Sequence, residues 1–448
     1  MKRLFFISML FLLGVACSQD DSLTATVDPV PEGGRNANPY AVTVEEALAN
    51  LEGVLAQIDG ETRAGGMRRA VSVDRVKAAD VCDLTRSEAA LDVEDLLYVV
   101  SFGEGNGSAV LGADKRVTRV MAVLDETVLT AEDFVKFDTR ATSLEELSPK
   151  EDLQNMLTDM ITATAEAEVA SVGEEVIGPL PMIGEEISYS YIKRRPLLDT
   201  KWSQSKPFNN SCPLKSPSTI SRHSAGCVPV GVGQILAYYQ YPSPNIIDDT
   251  LYNWSLINQL NYPSDPNSCS EDAKETTANY LRKLGRMMYA EYRNDGTFVY
   301  DSHQINFLKT IGFPNARTTA WDNDFAYNMI YSNSEPLGIG VYRLKEDGTS
   351  TGHFWVLDGW MDVIKNVWRL VKEYGAVLPE RTLISSTLDS QLVHCNFGWG
   401  GTCDGYYTPN TYDLTIEKTG VYIEPLLGDI PNTMNRIYNF NVRITRLE

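Results

Sequence analysis

Apolar residues recur at helical spacing after a loop that contains Gly226. Four of them fall on one face of the predicted helix: Val228, Val232, Ile235 and Leu236. This pattern predicts a helix that begins at Cys227 and ends near Tyr239. At a helix start, the N–H groups of the first turn and the positive end of the helix dipole favour a thiolate over a thiol. Cys227 is therefore a candidate nucleophile, and a buried structural cysteine is the plainer alternative.

Further along the chain, apolar runs bounded by glycine predict strands. They cover residues 336–344, 352–357 and 392–397 and the region of 406–407. A second amphipathic helix is predicted over residues 279–292, where the apolar positions are spaced as a core face. The C-terminal half is therefore predicted to have an α+β architecture, with a helical lobe and an antiparallel sheet lobe.

The N-terminal half also carries the signals of a folded unit. Thr43 and Ser148 each begin a capping box that is followed by apolar residues at helical spacing. Strands are predicted over residues 96–102, 108–111 and 117–123, around a glycine-rich hairpin. We expect a small α+β domain ahead of the two C-terminal lobes.

Polar residues on the predicted strands supply partners for the candidate nucleophile. His353 begins one strand and Asn396 lies at the end of another, so the order along the chain is cysteine, histidine, asparagine. In this papain-type arrangement His353 takes the thiol proton, Asn396 orients the imidazole ring, and the ion pair attacks a carbonyl carbon. Upstream, Gln204 offers a side-chain N–H to the oxyanion, alongside the backbone N–H of Cys227, at about 3 kcal/mol per donor.

The chain has four histidines, so three others compete with His353 for the role of base. His223 lies four residues before the candidate nucleophile and reaches the thiol only by local folding. His303 fits the surface of an ordinary helix. His394 is two residues from the asparagine and shares its strand face, which makes it the main rival.

Taken together and in order, these residues resemble the streptopain-like cysteine proteases. The resemblance rests on the following motifs: Gly226-Cys227-Val228, Gln234-Ile235, Tyr241-Pro242, Gly352-His353, Asp358-Gly359, Asn396, Gly398-Trp399-Gly400-Gly401 and Asp404-Gly405-Tyr406. It covers the chain after residue 190 and, more loosely, the segment before it.

The resemblance implies a papain-like two-lobe protease domain behind a small α+β prodomain, which keeps the enzyme latent by covering the cleft and disturbing the catalytic histidine. Five residues take the family's catalytic positions: Cys227 as nucleophile, His353 as base, Asn396 as orienting residue, Gln204 as oxyanion donor and Trp399 as the ring that shields the His–Asn hydrogen bond. Gly352, Thr297 and Phe298 take positions that border the substrate.

The chain departs from the family pattern in two places. Residues 360–393 form a long insertion where the family usually has a short hairpin, and we expect this insertion to form a lid or an exosite. Phe397 stands where a second tryptophan is common. This exchange keeps an aromatic wall, so activity is still expected.

The chain begins with the pattern of an export signal. Basic residues at positions 2 and 3 precede a short apolar run and small residues. Cys17 follows a stretch similar to a bacterial lipobox, so residues 1–17 are predicted to be a signal with a possible lipid on Cys17. Ordinary cleavage near Ala16 is the alternative. We expect an exported protein, either a lipoprotein of the outer membrane or cell surface or a secreted enzyme.

Charge is distributed unevenly along the chain. Residues 18–190 hold 13 Lys and Arg against 34 Asp and Glu, whereas residues 191–448 hold 24 against 26. We interpret residues 18–190 as an acidic inhibitory prodomain and residues 191–448 as the protease domain, with activation cleavage between Gly184 and Arg195. A second hypothesis is that protonation of crowded prodomain carboxylates loosens the prodomain.

Composition also limits the expected partners. An acidic chain repels phosphate backbones, so nucleic acid is not expected as a partner. No residue spacing matches a zinc site or a phosphate loop, and neither a metal nor another cofactor is expected. Four cysteines of the protease part form two disulfides or remain free thiols: Cys212, Cys269, Cys395 and Cys403.

The sequence therefore predicts a cysteine endopeptidase that is made as a zymogen, with protein or peptide substrates and its own prodomain as intramolecular inhibitor. Two alternatives remain open at this stage. An amidase or a transglutaminase could use the same triad chemistry, and an inactive relative could serve as a surface-binding protein. The four intact residues Cys227, His353, Asn396 and Gln204 argue against the inactive relative.

Overall fold

The structure is a computed structural model of the protein. It describes residues 38–60, 66–81, 93–135, 149–171, 185–244, 246–260, 268–294, 296–344, 350–371, 380–412 and 440–446. The predicted export signal, Cys17 and residue 184 of the predicted cleavage window lie outside these described residues.

Most strands belong to one large antiparallel sheet. The strands are β1 Ser72–Lys77, β2 Asp95–Ser101, β3 Ser108–Gly112, β4 Val120–Leu124, β5 Glu185–Arg194, β6 Ile246–Ile247, β7 Thr250–Leu251, β8 Glu291–Arg293, β9 Gly296–Phe298, β10 Arg317–Ala320, β11 Leu337–Leu344, β12 Ser350–Val371, β13 Glu380–Asn396, β14 Gly405–Tyr407 and β15 Phe440–Arg446. Their order in the large sheet is β1-β2-β3-β4-β14-β13-β12-β11-β15-β10, with β5 paired to β12. Two small hairpins, β6–β7 and β8–β9, lie apart from it.

Helices pack around this sheet and form a separate lobe. The α-helices are α1 Val44–Asp59, α2 Ala78–Val81, α3 Pro149–Ser171, α4 Cys227–Tyr239, α5 Trp254–Ile257, α6 Glu271–Met287, α7 Asp301–Ile311 and α8 Asn323–Tyr327. Short 3₁₀-helices cover Ala131–Phe134, Asn258–Leu260 and Pro409–Thr411, and a π-helix covers Asn328–Asn333. The predicted α+β fold class, with a helical lobe, a sheet lobe and a small α+β unit before them, is confirmed.

Local signals explain both the agreements and the shifts in element boundaries. The side chain of Thr43 accepts a hydrogen bond from the N–H of Glu46 and begins α1, as the capping box predicts. Helix α6 begins eight residues before the predicted start of 279, because Ser270 caps it by accepting the N–H of Ala273. Strand β4 begins three residues later than predicted, since Val117 closes a turn on the carbonyl of Asp114.

Two buried clusters define the lobes of the C-terminal half. The helical lobe packs α4 and α6 around Trp202 and Leu281, and Phe354 of β12 joins this cluster. The sheet lobe has its own core, in which Trp355 and Phe397 are fully buried. Helix α4 contacts β12 directly, so the predicted nucleophile and the predicted base lie on elements that meet between the lobes.

The N-terminal unit, meaning the described residues between 38 and 171, continues the sheet of the C-terminal half. Strand β4 pairs antiparallel with β14 through the register Val123↔Tyr406. Helix α3 buries Leu157 and Ile161 in the same core as Trp355, and α1 packs in a cluster that includes Met361. The two parts are therefore joined by strand pairing and by shared apolar cores.

The insertion of residues 360–393 forms most of a long hairpin made by β12 and β13. Strand β5 pairs with β12 through ten residues, from Arg194↔Trp360 to Glu185↔Arg369. The insertion thus builds a three-stranded extension of the sheet, and it holds the chain segment that links the N-terminal unit to the helical lobe. The predicted domain boundary after residue 190 falls inside β5, and both the boundary and the cleavage window stay predictions.

Candidate active site

Cys227 is the first residue of α4, and the loop before it is held tightly. Gly226 has φ 96°, and a Cβ atom there would lie 2.9 Å from Cγ2 of Thr297. Glycine is therefore required at this position by conformation and by space. Thr297 also donates its hydroxyl to the carbonyl of Ser224 at 2.7 Å, which places the predicted substrate-binding hairpin β8–β9 against the nucleophile loop.

The thiol of Cys227 is surrounded by backbone N–H groups. Burial raises its pKa, and the N–H groups of Phe354, Val228 and Cys227 itself act in the opposite direction. Phe354 follows His353 on β12, so the strand of the predicted base reaches the thiol through its backbone. The N–H groups of the helix start act in the direction that the sequence pattern predicts, but burial outweighs them, so the thiol and not the thiolate is favoured in the full chain.

His353 lies among aromatic rings and binds a backbone carbonyl. Its Nε2–H donates to the carbonyl of Phe397 at 2.8 Å, and ring centroids of Trp355, Phe397 and Trp399 lie 6.0–6.4 Å away. Burial lowers the pKa of His353 to about 4, against smaller opposing effects of the Phe397 carbonyl and of the carboxylate of Asp152. The imidazole is therefore neutral at pH 7, and the hydrogen bond at Nε2 leaves the lone pair on Nδ1.

The amide of Asn396 has other hydrogen-bond partners than the predicted one. Its Oδ1 accepts from Nε2 of Gln234 at 3.1 Å and from the N–H of Gly398 at 3.2 Å, and its Nδ2 donates to the carbonyl of Thr200 at 2.7 Å. The predicted hydrogen bond between Asn396 and His353 is not among those of the described residues, because Oδ1 already accepts two hydrogen bonds and the Nε2–H of His353 donates to the carbonyl of Phe397. The carbonyl of Phe397, the next residue, orients the ring instead.

Gln204 carries a buried donor without a partner. The residue is 4% exposed, and its Oε1 accepts the hydroxyl of Ser224 at 3.0 Å. Its Nε2 has no hydrogen-bond partner among the described residues. A buried N–H without a partner is costly, so its presence beside the loop of Cys227 fits a donor kept for a reacting group.

The remaining predicted site residues lie on the same elements. Trp399 is 7% exposed, and its ring stacks with that of His353 at a centroid distance of 6.4 Å, so its predicted shielding role stays a prediction. Gly352 is exposed and precedes the base on β12. Phe298 on β9 is half-buried, and its ring centroid lies 4.8 Å from that of Tyr300.

The three rival histidines all have other partners. Nδ1 of His223 lies 2.9 Å from the carbonyl of Arg293. His303 packs against the rings of Tyr289 and Tyr300. Nδ1 of His394 lies 2.6 Å from a carboxylate oxygen of Asp358. None of the three shows a hydrogen bond to Cys227 among the contacts of the described residues.

The part of the chain that holds these residues is similar in sequence to a known family. Residues 202–407 match the sequence model of the Peptidase C10 family. The resemblance to the streptopain-like proteases and the prediction of a cysteine-type endopeptidase are thereby confirmed. None of the curated proteins that were compared matches the chain.

Two solved structures of Prevotella intermedia proteins are similar to the chain. A fragment of prointerpain A is 20% identical, with 78% of this chain and 94% of that chain covered and a TM-score of 0.45. The active interpain A cysteine protease is 21% identical, with 57% of this chain and 94% of that chain covered and a TM-score of 0.38.

The N-terminal unit lies against a glycine-rich loop, residues 398–404, within the segment that matches the family model. Nζ of Lys150, in the first turn of α3, donates to Oγ1 of Thr402 at 3.2 Å. The N–H of Asp125 donates to the carbonyl of Asp404 at 2.9 Å. The N–H of Cys403 donates to Oγ1 of Thr127 at 2.8 Å. This loop is therefore bound on more than one side by the N-terminal unit.

An ionic cluster joins the two parts beside this loop. His394 lies between Asp358 and Asp125, and its Nε2 is 3.8 Å from Oδ2 of Asp125. Burial disfavours the charged imidazole, but the two carboxylates outweigh it and raise the pKa of His394 to about 10. Burial likewise opposes ionisation of Asp125, yet His394 lowers the pKa of that carboxyl. Burial raises the pKa of Asp404 nearby to about 7.

We expect this cluster to resist mild acid. The stabilisation at His394 is fully present below about pH 6.5, the pKa of histidine in an unfolded chain. It is lost only as the pH rises towards 10, the pKa of His394 in the folded chain. The effect at Asp125 is present above about pH 4 and is lost only as the pH falls through its lowered pKa. Protonation of buried Asp404 favours the folded chain as the pH falls through about 7.

The melting temperature of the chain and of an Asp125→Asn variant, compared across pH, tests this expectation. The difference between them should persist from about pH 5 to pH 8 and shrink above about pH 9, as His394 loses its proton. A difference that disappears near pH 5 would instead favour the hypothesis that acid loosens the prodomain.

The pKa directions at Cys227 and His353 predict slow alkylation of the full chain. Neutral imidazole and neutral thiol make a poor nucleophile, since the thiolate is the reactive form. We expect the rate of Cys227 alkylation by iodoacetamide, followed by peptide mass mapping, to rise about tenfold per pH unit between about pH 7 and pH 9. A rate that is independent of pH from about pH 5 to pH 8 would reveal a preformed ion pair and contradict the prediction.

The cysteine and metal predictions can be compared with the described residues. Cys212, Cys269, Cys395 and Cys403 are all free, so the disulfide alternative is not realised there. The described part of the chain shows no group of three or more His, Cys, Asp or Glu side chains arranged to hold a metal ion. Among the described helices, none combines the length and apolar character needed to span a bilayer.

Sequence reasoning assigned no role to the polar residues that hold Asn396 and Phe397, although Gln234 and Asp404 stand in the motifs that carry the resemblance. Gln234 and Thr200 hold Asn396, and the carboxylate of Asp404 accepts the N–H of Phe397 at 2.8 Å. One signal was available: Gln234 is a lone amide in an otherwise apolar stretch of α4. Thr200 contributes only its backbone carbonyl, which leaves no signature in the sequence.

Proposed function

We propose that the chain is an exported, latent precursor of a cysteine endopeptidase that cleaves protein substrates through a thioester at Cys227. The observation that carries this proposal is the unpartnered Nε2 of Gln204, buried beside the loop that begins the nucleophile helix. A site that served only for binding would have no reason to keep a desolvated donor without a partner.

The proposed mechanism begins once the Cys227 thiol and the His353 ring have met in the activated enzyme. Nδ1 of His353 accepts the proton of the Cys227 thiol, while Nε2–H stays on the carbonyl of Phe397. The thiolate attacks the substrate carbonyl carbon, and the oxyanion accepts from Nε2 of Gln204 and from the backbone N–H of Cys227. His353 then protonates the leaving amine, which produces a thioester. Water attacks the thioester with His353 as base, and the acid product and the thiol are released.

The N-terminal unit supports the proposal of latency. Asp152, in the first turn of α3, is close enough to influence the pKa of His353, and Lys150 is hydrogen-bonded to the loop beside it. The structure shows no hydrogen bond between the Cys227 thiol and His353 among the described residues. We infer that removal of the N-terminal unit frees the cleft and lets the two groups meet.

Export is proposed from the first residues alone. The basic start, the apolar run and Cys17 support a signal with a lipid anchor at the cell surface or, alternatively, secretion. Fractionation of producing cells into membrane, soluble and medium fractions tests this part. Retention of the protein inside the cell with residues 1–17 intact would contradict it.

Incubation of the purified full chain with casein under reducing conditions tests the peptidase function. We expect new α-amino groups, loss of the N-terminal unit over time, and inhibition of both by iodoacetamide. Ammonia release or incorporation of an added amine, without new α-amino groups, would instead support an amidase or a transglutaminase. Absence of all these reactions after removal of the N-terminal unit would contradict catalysis.

A further inference from the structure

One buried amide stands out in the helix that carries the nucleophile. Helix α4 has a mainly apolar sequence, and Gln234, seven residues after Cys227, is fully buried in it. Seven residues correspond to about two helical turns, so both side chains project from a similar face of α4. Helix neighbours approach closely here: a Cβ atom at Gly233 would lie 2.9 Å from Leu281.

Both polar atoms of Gln234 bind elements of the active site. Its Oε1 accepts the N–H of Trp202 at 3.2 Å, two residues before the proposed oxyanion donor Gln204. Its Nε2 donates to Oδ1 of Asn396 at 3.1 Å, one residue before Phe397, whose carbonyl orients the base. A single side chain therefore connects the nucleophile helix to the segment that carries Gln204 and to the segment that carries the Phe397 carbonyl.

The same segments are tied to each other around this amide. Asn396 donates to the carbonyl of Thr200, so it binds the oxyanion segment as well. The carbonyl of Trp202 accepts the N–H of Gly400 at 3.0 Å. The result is a closed network in which the helix, the oxyanion segment and the loop after β13 fix one another.

We propose that Gln234 is a positioning residue for the peptidase reaction. It holds Gln204 and the Phe397 carbonyl at fixed positions relative to Cys227. This inference rests on the proposed function. The donor at Nε2 fixes Asn396, Asn396 fixes the peptide that presents the Phe397 carbonyl, and that carbonyl fixes the ring of His353. Displacements of about 1 Å at reacting groups cost about 100-fold in rate, so loss of the amide should appear mainly in kcat.

Two variants of similar size separate the parts of this role. Gln234→Met removes both hydrogen bonds and keeps the volume of the side chain. Gln234→Glu keeps an acceptor for the N–H of Trp202 but places an oxygen against Oδ1 of Asn396. A buried carboxyl beside an acceptor has a raised pKa, and its protonated form regains a donor.

A matched control is available on another helix. Gln304 on α7 is also buried, and its Nε2 donates to Oγ1 of Thr445 at 3.4 Å. No hydrogen bond from Gln304 to an active-site residue is among those of the described residues. Gln304→Met therefore removes a buried helical amide without touching the proposed network.

The test measures kcat, KM and the melting temperature of each full-length variant after activation, across pH. We expect Gln234→Met to lose about 10- to 100-fold in kcat with little change in KM. Gln304→Met should keep the kcat of the wild type even if its melting temperature falls. The activity of Gln234→Glu relative to the wild type should recover as the pH falls, because the protonated carboxyl donates again to Asn396.

Two outcomes would overturn the inference while leaving the proposed function intact. The first is an active wild type with the same kcat in Gln234→Met and Gln304→Met. The second, which also applies if Gln234→Met does not fold, is a Gln234→Glu variant whose kcat matches the wild type at every pH. A wild-type chain without hydrolytic activity would overturn the proposed function and this inference together.

Discussion

Replacement of Cys227 by alanine is expected to lower peptidase activity by about 10⁵-fold or more and to leave the fold intact. The thiol is the atom that forms the thioester, and the structure describes no other cysteine at the start of a helix beside the strand of His353. The side chain is only partly buried and makes no hydrogen bond to another side chain among the described residues. Its loss should therefore change stability little. Hydrolysis of a peptide substrate and the melting temperature are the two measurements.

Cys269→Ala provides the matched control for this variant. Cys269 is also half-buried, and its Sγ donates to the carbonyl of Gln259 at 3.1 Å, in the helical lobe. We expect full activity from this variant. Self-processing should also depend on Cys227: we expect the N-terminal unit to be lost in Cys269→Ala and retained in Cys227→Ala. Residual hydrolysis within about tenfold of the wild type in Cys227→Ala would exclude Cys227 as the nucleophile.

Replacement of Gln204 by leucine is expected to lower kcat by about 10²- to 10³-fold with little effect on KM. The Nε2 of Gln204 has no partner in the described structure, and under the proposed mechanism its hydrogen bond forms only when an oxyanion develops. An interaction made only in the transition state contributes to kcat and not to substrate binding. Initial-rate kinetics on the activated enzyme measure both constants.

Ser224→Ala serves as the graded control for this prediction. The hydroxyl of Ser224 donates to Oε1 of Gln204 and holds the amide from its far side, while Nε2 itself is kept. We expect a loss of less than about tenfold, because the donor is still present but less well fixed. An increase in KM alone in Gln204→Leu would show that the amide binds substrate rather than the oxyanion.

Local patterns along the chain predicted the elements that carry the site. Apolar spacing and the glycine before Cys227 were sufficient to predict α4, and short apolar runs predicted the parts of β12 and β13 that hold His353 and Asn396. The lengths of these two strands were not predictable in the same way. Beyond the core, pairing of β12 with β5 stabilises the hairpin, whose outer residues 381–388 on β13 are mostly exposed.

Hydrogen-bond partners within the site could not be predicted, because they depend on contacts between distant segments. The sequence indicated Asn396 as the partner of His353, yet Gln234 and Thr200 lie closer to its amide once α4 and the segment before Gln204 are packed. The backbone carbonyl of Phe397 accepts the hydrogen bond from the ring of His353 instead. Every residue has such a carbonyl, so the sequence alone does not distinguish this one.

The attachment of the N-terminal unit shows the same limit. Capping boxes predicted α1 and α3, and apolar runs around a glycine-rich hairpin predicted β2, β3 and β4, whereas the pairing of β4 with β14 joins residues about 280 positions apart. The charge excess before residue 190 led to the hypothesis that protonation of prodomain carboxylates loosens the prodomain, and the cluster around His394 is an ionic contact that includes one of these carboxylates, Asp125. Its pKa directions, however, favour a contact that holds in mild acid rather than one that opens there.

Mass spectrometry of the enzyme during turnover tests most directly the central claim that Cys227 cleaves peptide bonds through a covalent intermediate. The activated chain is mixed with a peptide ester, quenched in acid within milliseconds to seconds, and digested. We predict an acyl group on the peptide that contains Cys227, formed before product accumulates and absent in His353→Ala. Steady hydrolysis with no adduct on Cys227, or with the adduct on another residue, would contradict the account.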